Sequence, residues 1–77
     1  TIVKLYPNPA KDLLYVEIAE NQQEAQFELF DINGRLLINK SLVQSGKVEL
    51  HNFKDGIYPW KITLKEKTFS GKIVVKK

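Results

Sequence analysis

The sequence predicts an all-β fold, an antiparallel β-sandwich of about seven short strands. Three observations predict it. Apolar and polar residues alternate with a period of two in most segments, the pattern of half-buried strands. Turn signals rich in Gly, Pro, Asn and Asp recur about every ten residues. No segment places an apolar stripe at helical spacing. Short strands, regular turns and no helix together point to two packed antiparallel sheets.

The elements follow in order. Ile2-Val3-Lys4-Leu5-Tyr6 reads as a short strand. Pro7-Asn8-Pro9 ends it, because proline has no amide to donate and restricts the residue before it. Ala10-Lys11-Asp12 completes that turn. Leu13 to Ala19 forms a second strand, with Leu14, Val16 and Ile18 on one face and Tyr15 and Glu17 on the other. Glu20-Asn21-Gln22-Gln23-Glu24 is a polar loop.

Gln26 to Asp31 and Arg35 to Ser41 form a central hairpin. Asn-Gly between apolar runs is a strong hairpin signal. Two registers compete for it. A two-residue loop at Asn33-Gly34 would pair Ile32 with Arg35. A type I turn starting at Asp31, with Gly34 left-handed, would pair Asp31 with Arg35. The second is favoured, because Asp suits the first turn position and its carboxylate can accept from turn amides.

Ser45-Gly46 is read as a turn and Lys47 to Leu50 as a short strand. His51 to Gly56 is a connection that ends in the turn signal Asp55-Gly56, and Phe53 plugs the core from it. Ile57 to Lys65 is a strand with Tyr58, Trp60, Ile62 and Leu64 inward. Pro59 removes one ladder hydrogen bond, so this strand is expected to be at an edge there, or bulged. Glu66-Lys67 is read as a hairpin turn. Thr68 to Lys77 is the last strand, with Phe69, Ile73 and Val75 inward and Ser70, Lys72 and Lys76 outward. Gly71 within it signals a bulge or a close backbone approach. The expected core is Leu14, Val16, Ile18, Phe27, Leu29, Val48, Leu50, Tyr58, Trp60, Ile62, Leu64, Phe69, Ile73 and Val75.

Seventy-seven residues make one small domain. There is no cysteine, hence no disulfide framework, and cysteine-free chains are compatible with export as well as with a reducing compartment. No apolar run approaches the ~20 residues that span a bilayer as a helix. The chain starts at Thr1 without Met and without a signal-peptide layout, so it is expected to be a piece of a longer protein. The net charge of +3 is uneven. Residues 1–39 carry three cations against six carboxylates, and residues 40–77 nine lysines against three carboxylates. The lysines are spread singly along alternating strands, as on solvated faces and guarded edges.

The search for chemistry is mostly negative. His51 is the sole histidine. Asp31-Ile32-Asn33-Gly34 looks like a fragment of a calcium loop, but the downstream acidic ligands are missing. Ser41, Ser45 and Ser70 lack partners for nucleophilic catalysis, and no glycine-rich phosphate loop precedes a helix. No catalytic, metal or cofactor-binding residue is expected. Tyr6, Tyr15, Phe30 and Trp60 could form an aromatic platform, although Trp60 falls on the core face.

Four segments carry a resemblance. Leu5-Tyr6-Pro7-Asn8-Pro9-Ala10 followed by Leu13, then Leu29-Phe30-Asp31-Ile32-Asn33-Gly34-Arg35-Leu36, then Gly56-Ile57-Tyr58, and finally Gly71-Lys72-Ile73-Val74-Val75-Lys76-Lys77 resemble the C-terminal sorting domain of proteins exported by the type IX secretion (Por) system of Bacteroidetes, type A class. The segments fall in the family's order and span essentially the whole chain. Pro59-Trp60 departs from the pattern, which has a strand pair without proline there.

The resemblance implies a non-enzymatic, immunoglobulin-like sandwich that acts as the address label of a larger secreted cargo. It implies periplasmic transit, recognition by the outer-membrane translocon and its shuttle protein, and removal by a sortase-like protease with attachment at the cell surface. The recognition residues would be Gly71, Lys72, Ile73, Val74, Val75, Lys76 and Lys77. Pro7, Asn8, Pro9, Asp31, Gly34, Gly56 and Tyr58 would support the fold. Physically, a terminal strand can be read as an exposed edge, and Lys72, Lys76 and Lys77 would give an outward positive stripe. Such an edge also invites an edge-strand dimer. The alternatives are an immunoglobulin-like accessory module binding carbohydrate and a passive spacer. No nucleic-acid partner is expected, because basic and aromatic residues do not interleave on one face.

Overall fold

The computed structural model describes residues 3–18, 24–43, 45–65 and 67–77. Among the described residues there are seven strands and no helix: β1 (Val3–Tyr6), β2 (Leu13–Ile18), β3 (Glu24–Phe30), β4 (Leu36–Val43), β5 (Ser45–Glu49), β6 (Gly56–Leu64) and β7 (Lys67–Val75). The hydrogen-bonded order is β1-β2-β5-β4-β3-β6-β7. Among the described residues β4 and β5 pair only through Val43 and Ser45. The array is therefore two antiparallel sheets, β1-β2-β5 and β4-β3-β6-β7, joined at one corner and packed as a sandwich.

The period-two pattern does what it should. Leu14, Val16 and Ile18 of β2, with Val48 of β5 and Leu50 just beyond it, face Phe27, Leu29, Ile62, Leu64, Ile73 and Val75 of the other sheet. All of these side chains are buried, as are Ala10, Ala25 and Leu42. Tyr58, Trp60, Phe69 and the plug residue Phe53 are half-buried and pack against this cluster.

The central hairpin takes the register that pairs Asp31 with Arg35. The Asp31 amide donates to the Arg35 carbonyl at 2.9 Å and the Gly34 amide to the Asp31 carbonyl at 2.9 Å. Gly34 has a φ of +87°, which glycine reaches without a steric penalty. Phe30 then pairs with Leu36, but Leu29 pairs with Ile38. Leu37 is thus an extra residue in β4, a bulge. Beyond it Lys40 lies opposite the buried Phe27, on the inner face of the sheet. Its ammonium escapes through the open side of the sandwich and donates to the Lys47 carbonyl at 2.8 Å. An inward lysine on such a strand blocks pairing with another chain.

Several expectations are corrected. Ser45 and Gly46 are not a turn but the start of β5, pairing with Glu17 and Val16. The Leu42 side chain lies over Gly46, where a β-carbon would stand 2.5 Å from Cδ2, so any larger residue there would require Leu42 to shift. β4 runs on to Val43, which brings Leu42 into the core. Lys67 belongs to β7, opposite Leu64. Glu66 and positions 19–23 of the expected second strand and polar loop lie outside the described residues.

Pro59 sits in β6, a strand flanked by β3 and β7, but the pairing with β3 stops at Trp60, so on that side Pro59 is at a local edge, as expected. Its position explains why it is tolerated. The Val74 amide and carbonyl point away from β6, so Val74–Ile57 is a non-hydrogen-bonded pair. Alternation along the ladder makes Lys72–Pro59 another such pair. The Pro59 nitrogen then faces β3, whose pairing with β6 ends at Leu29–Trp60. The missing amide is where the β3–β6 ladder stops.

Candidate recognition site at the last strand

β7 is held along one side by β6, in register from Gly56–Val75 to Leu64–Lys67. Its other side would be a sheet edge. Over the final residues that edge is covered by the turn after β1. The Val74 amide donates to Asn8 Oδ1 at 3.0 Å. The Ala10 amide donates to the Val74 carbonyl at 2.7 Å, and the Lys76 amide to the Ala10 carbonyl at 2.8 Å. Ala10 and Val75 form a parallel bridge. The proline-rich turn is therefore a strap: its prolines donate no amide, and Asn8 supplies a side-chain oxygen where the strap has no ladder to offer.

The connection before β6 completes the clasp. The Lys77 amide donates to Asp55 Oδ1 at 2.9 Å. The Lys77 ammonium folds back onto the Leu50 carbonyl at 2.7 Å and the Lys11 carbonyl at 2.9 Å, with Asp12 Oδ1 at 3.6 Å. Lys77 thus leaves the outward stripe expected for it and caps the end of the sandwich. Lys72 and Lys76 do point outward and are exposed. The expected open edge is likewise modified, because Val74 to Lys77 already has its backbone partners.

Within the strand, Ile73 and Val75 face the core, each 1% exposed. Val74 faces solvent opposite Ile57, with exposures of 38% and 47%. Gly71 lies opposite Trp60, and a β-carbon there would stand 2.8 Å from Trp60 Cζ2. This is a close approach, one of the two readings open for that glycine.

The remaining motif residues have structural roles. Gly56 pairs with Val75, and Tyr58 pairs with Ile73. The Tyr58 hydroxyl donates to the Lys54 carbonyl at 2.7 Å, and its ring lies 5.1 Å from that of Phe53. Asp31 closes the hairpin turn. Its carboxylate accepts from the Asn33 and Arg35 amides at 2.9 Å each and from Arg35 Nε at 3.1 Å. The Arg35 amide, foremost among these donors, holds the Asp31 carboxyl below the usual carboxylate range. These donors occupy the oxygens that a calcium loop would aim at a cation. Tyr58 and the Asp31–Arg35 pair flank one shallow cleft of about 340 Å³, with Leu37, Asn52, Phe53 and Lys54.

The aromatic residues do not gather. Tyr6 and Tyr15 stack at 5.6 Å on the outer face of the three-stranded sheet. Phe30 lies on the outer side of β3, and Trp60 packs over Gly71. Sequence reasoning thus brought the first turn, Gly56 and the last strand to notice separately, and the fold places them together. It missed Asp55, Ala10 and the inward turn of Lys77. These contacts join residues 22 and 66 positions apart, so no local signal marked them.

A family model described as the secretion system C-terminal sorting domain matches residues 4–76. No curated protein matches the chain.

Proposed function

The chain belongs to the C-terminal sorting domains of the type IX secretion system of Bacteroidetes, and on that premise we propose that it labels a larger cargo and is read as a folded domain through Gly71 to Lys77. Membership in this family carries a C-terminal secretion signal and export toward the cell surface or the extracellular space. The cargo enters the periplasm first. There the outer-membrane translocon and its shuttle protein engage the label, and a sortase-like protease removes it after export. The domain itself does no chemistry in this scheme.

The observation that carries the reading is the clasp. Asn8, Ala10 and Asp55 hold the backbone of Val74 to Lys77, so the terminal motif is presented in one fixed geometry. A rigid element limits the ordering that binding must impose.

The test is a fusion of residues 1–77 to the C-terminus of a fluorescent protein bearing a periplasmic signal, expressed in a Bacteroidetes host. Fluorescence at the surface or in the medium, lost when the translocon is deleted, is the expected result. Periplasmic retention of a folded fusion in the intact host would sink the proposal. Deleting Ile73–Lys77 is expected to abolish export, and normal export of that truncated fusion would refute the assignment of the terminal segment.

A further inference from the structure

Building on the sorting-domain reading, we propose that the partner reads the last strand through its outward side chains and not through its backbone. The surface read is Lys72, Val74 and Lys76 of the last strand with Ile57, Pro59 and Lys61 of β6. The partner it fits is a protein surface that surrounds an apolar contact with carboxylates.

Recognition by strand addition needs a row of free amides and carbonyls along a sheet edge. On the side of β7 away from β6, the Val74 amide is taken by Asn8, the Val74 carbonyl and the Lys76 amide by Ala10. The Lys77 amide is taken by Asp55. An added strand finds no open donor there. The stretch of edge outside the strap is Thr68 to Lys72, which reaches only the start of the terminal motif.

The side chains are a different matter. Ile73 and Val75 are buried and cannot be read. Lys72, Val74 and Lys76 are exposed on the other face. Ile57 lies directly opposite Val74, and Pro59 opposite Lys72. Lys61 follows on β6 beyond Pro59, opposite Ser70, so three exposed lysines share the face that carries the exposed apolar pair. Neither β6 nor β7 contains a carboxylate. The neighbouring β3 places Glu28 opposite Lys61. Among the described residues, none of these three lysines is in an ion pair.

Edge guarding does not account for Lys76. Lysines on edge strands deter pairing with other chains, but the edge beside Lys76 is already covered by Ala10. An apolar centre with a charged rim is the usual anatomy of a specific protein contact. Charge on such a rim steers encounter and rejects wrong partners.

The test uses the full-chain fusion in the type IX host, where export of the unmodified fusion checks the sorting reading independently. Lys72→Glu/Lys76→Glu is expected to cut export about tenfold or more, since like charges facing each other across an interface repel. Its melting temperature and Trp60 emission should match the parent. The control Lys65→Glu/Lys67→Glu changes charge at the far end of the same hairpin and should leave export unchanged. Asn8→Ala, which frees the Val74 amide, should not raise export.

If the reversal disturbs folding, Lys72→Gln/Lys76→Gln replaces it, with an expected loss of about threefold or more. Export of the folded double variant within about twofold of the parent would overturn the proposal. So would a gain of export in Asn8→Ala, which would favour strand addition. Co-sedimentation of the full chain with phosphatidylglycerol vesicles, abolished by Lys72→Glu/Lys76→Glu, would overturn the protein partner in favour of a lipid surface.

Discussion

Gly71 is the residue of the terminal motif whose role can be separated most cleanly. Replacing it with alanine would set a methyl group 2.8 Å from Trp60 Cζ2, 3.0 Å from Cε2 and 3.1 Å from Nε1. All three fall inside the ~3.5–4.0 Å of an optimal contact, so the indole would have to move by about 0.7 Å. Overpacking of this kind costs about 1–3 kcal/mol. Gly71 does not have a left-handed φ, so alanine also narrows the unfolded ensemble and returns about 0.4–1 kcal/mol. The net expectation is a destabilisation of roughly 0–2.6 kcal/mol, with a midpoint of about 1.3 kcal/mol. For a domain of this size the midpoint lowers the melting temperature by roughly 5–10 °C. Circular dichroism would measure the melt, and emission of the sole tryptophan would report the displaced ring. In a Trp60→Leu background the collision is gone, and the same substitution should be neutral or stabilising. If Gly71→Ala melts at or above the parent with Trp60 in place, the ring does not need the glycine and the packing argument fails.

Two further substitutions test the hairpin and the β6 ladder. Asp31 has its pKa lowered in the folded state, chiefly by the Arg35 amide, so its contribution to stability is present above the unfolded carboxylate value of about 3.9 and is lost as pH falls through the lower folded value. Asp31→Asn should therefore lower the melting temperature at neutral pH and flatten the decline seen in acid; an unchanged acid limb would show that the turn carboxylate is not linked to folding. Pro59→Val restores an amide that faces β3 just past the Leu29–Trp60 pair, and should leave stability unchanged or raise it by up to about 1 kcal/mol. A clear loss in denaturant titration would refute that placement of the Pro59 nitrogen.

The fold was legible wherever the chemistry is local. Leu14, Val16 and Ile18 announce their face by alternation alone, and Asp31 with Gly34 fixes the hairpin register through a side-chain acceptor and a left-handed φ. β4 was harder. Its inward positions are Ile38, Lys40 and Leu42, and the lysine in the middle breaks the apolar period. The bulge at Leu37 shifts the phase as well, so Leu42 did not stand out as core. Gly46 looked like a turn residue because glycine usually punctuates, whereas here it makes room for Leu42. Ala10, small and next to a proline, carried no sign that it would be fully buried as the centre of a strap. At the candidate site the inward and outward faces of the last strand could be read directly. The covering of its edge could not, because the covering residues come from the opposite end of the chain.

That covering changes what the motif residues can be doing. A terminal strand with a free edge could be read by backbone and side chains together, and its substitutions would then be hard to interpret. With the strap in place the two groups separate by contact. Asn8, Ala10, Asp55 and the Lys77 ammonium hold the strand's backbone to the sandwich, whereas the side chains of Lys72, Val74 and Lys76 point to solvent. Weakening a holding residue should therefore lower the melting temperature and export together. Changing an outward residue should lower export while the melting temperature stays where it was. The sandwich uses one end of the chain to fix the other, and under the proposed reading it leaves the outward side chains of Lys72, Val74 and Lys76 as the part of the last strand open to the secretion machinery.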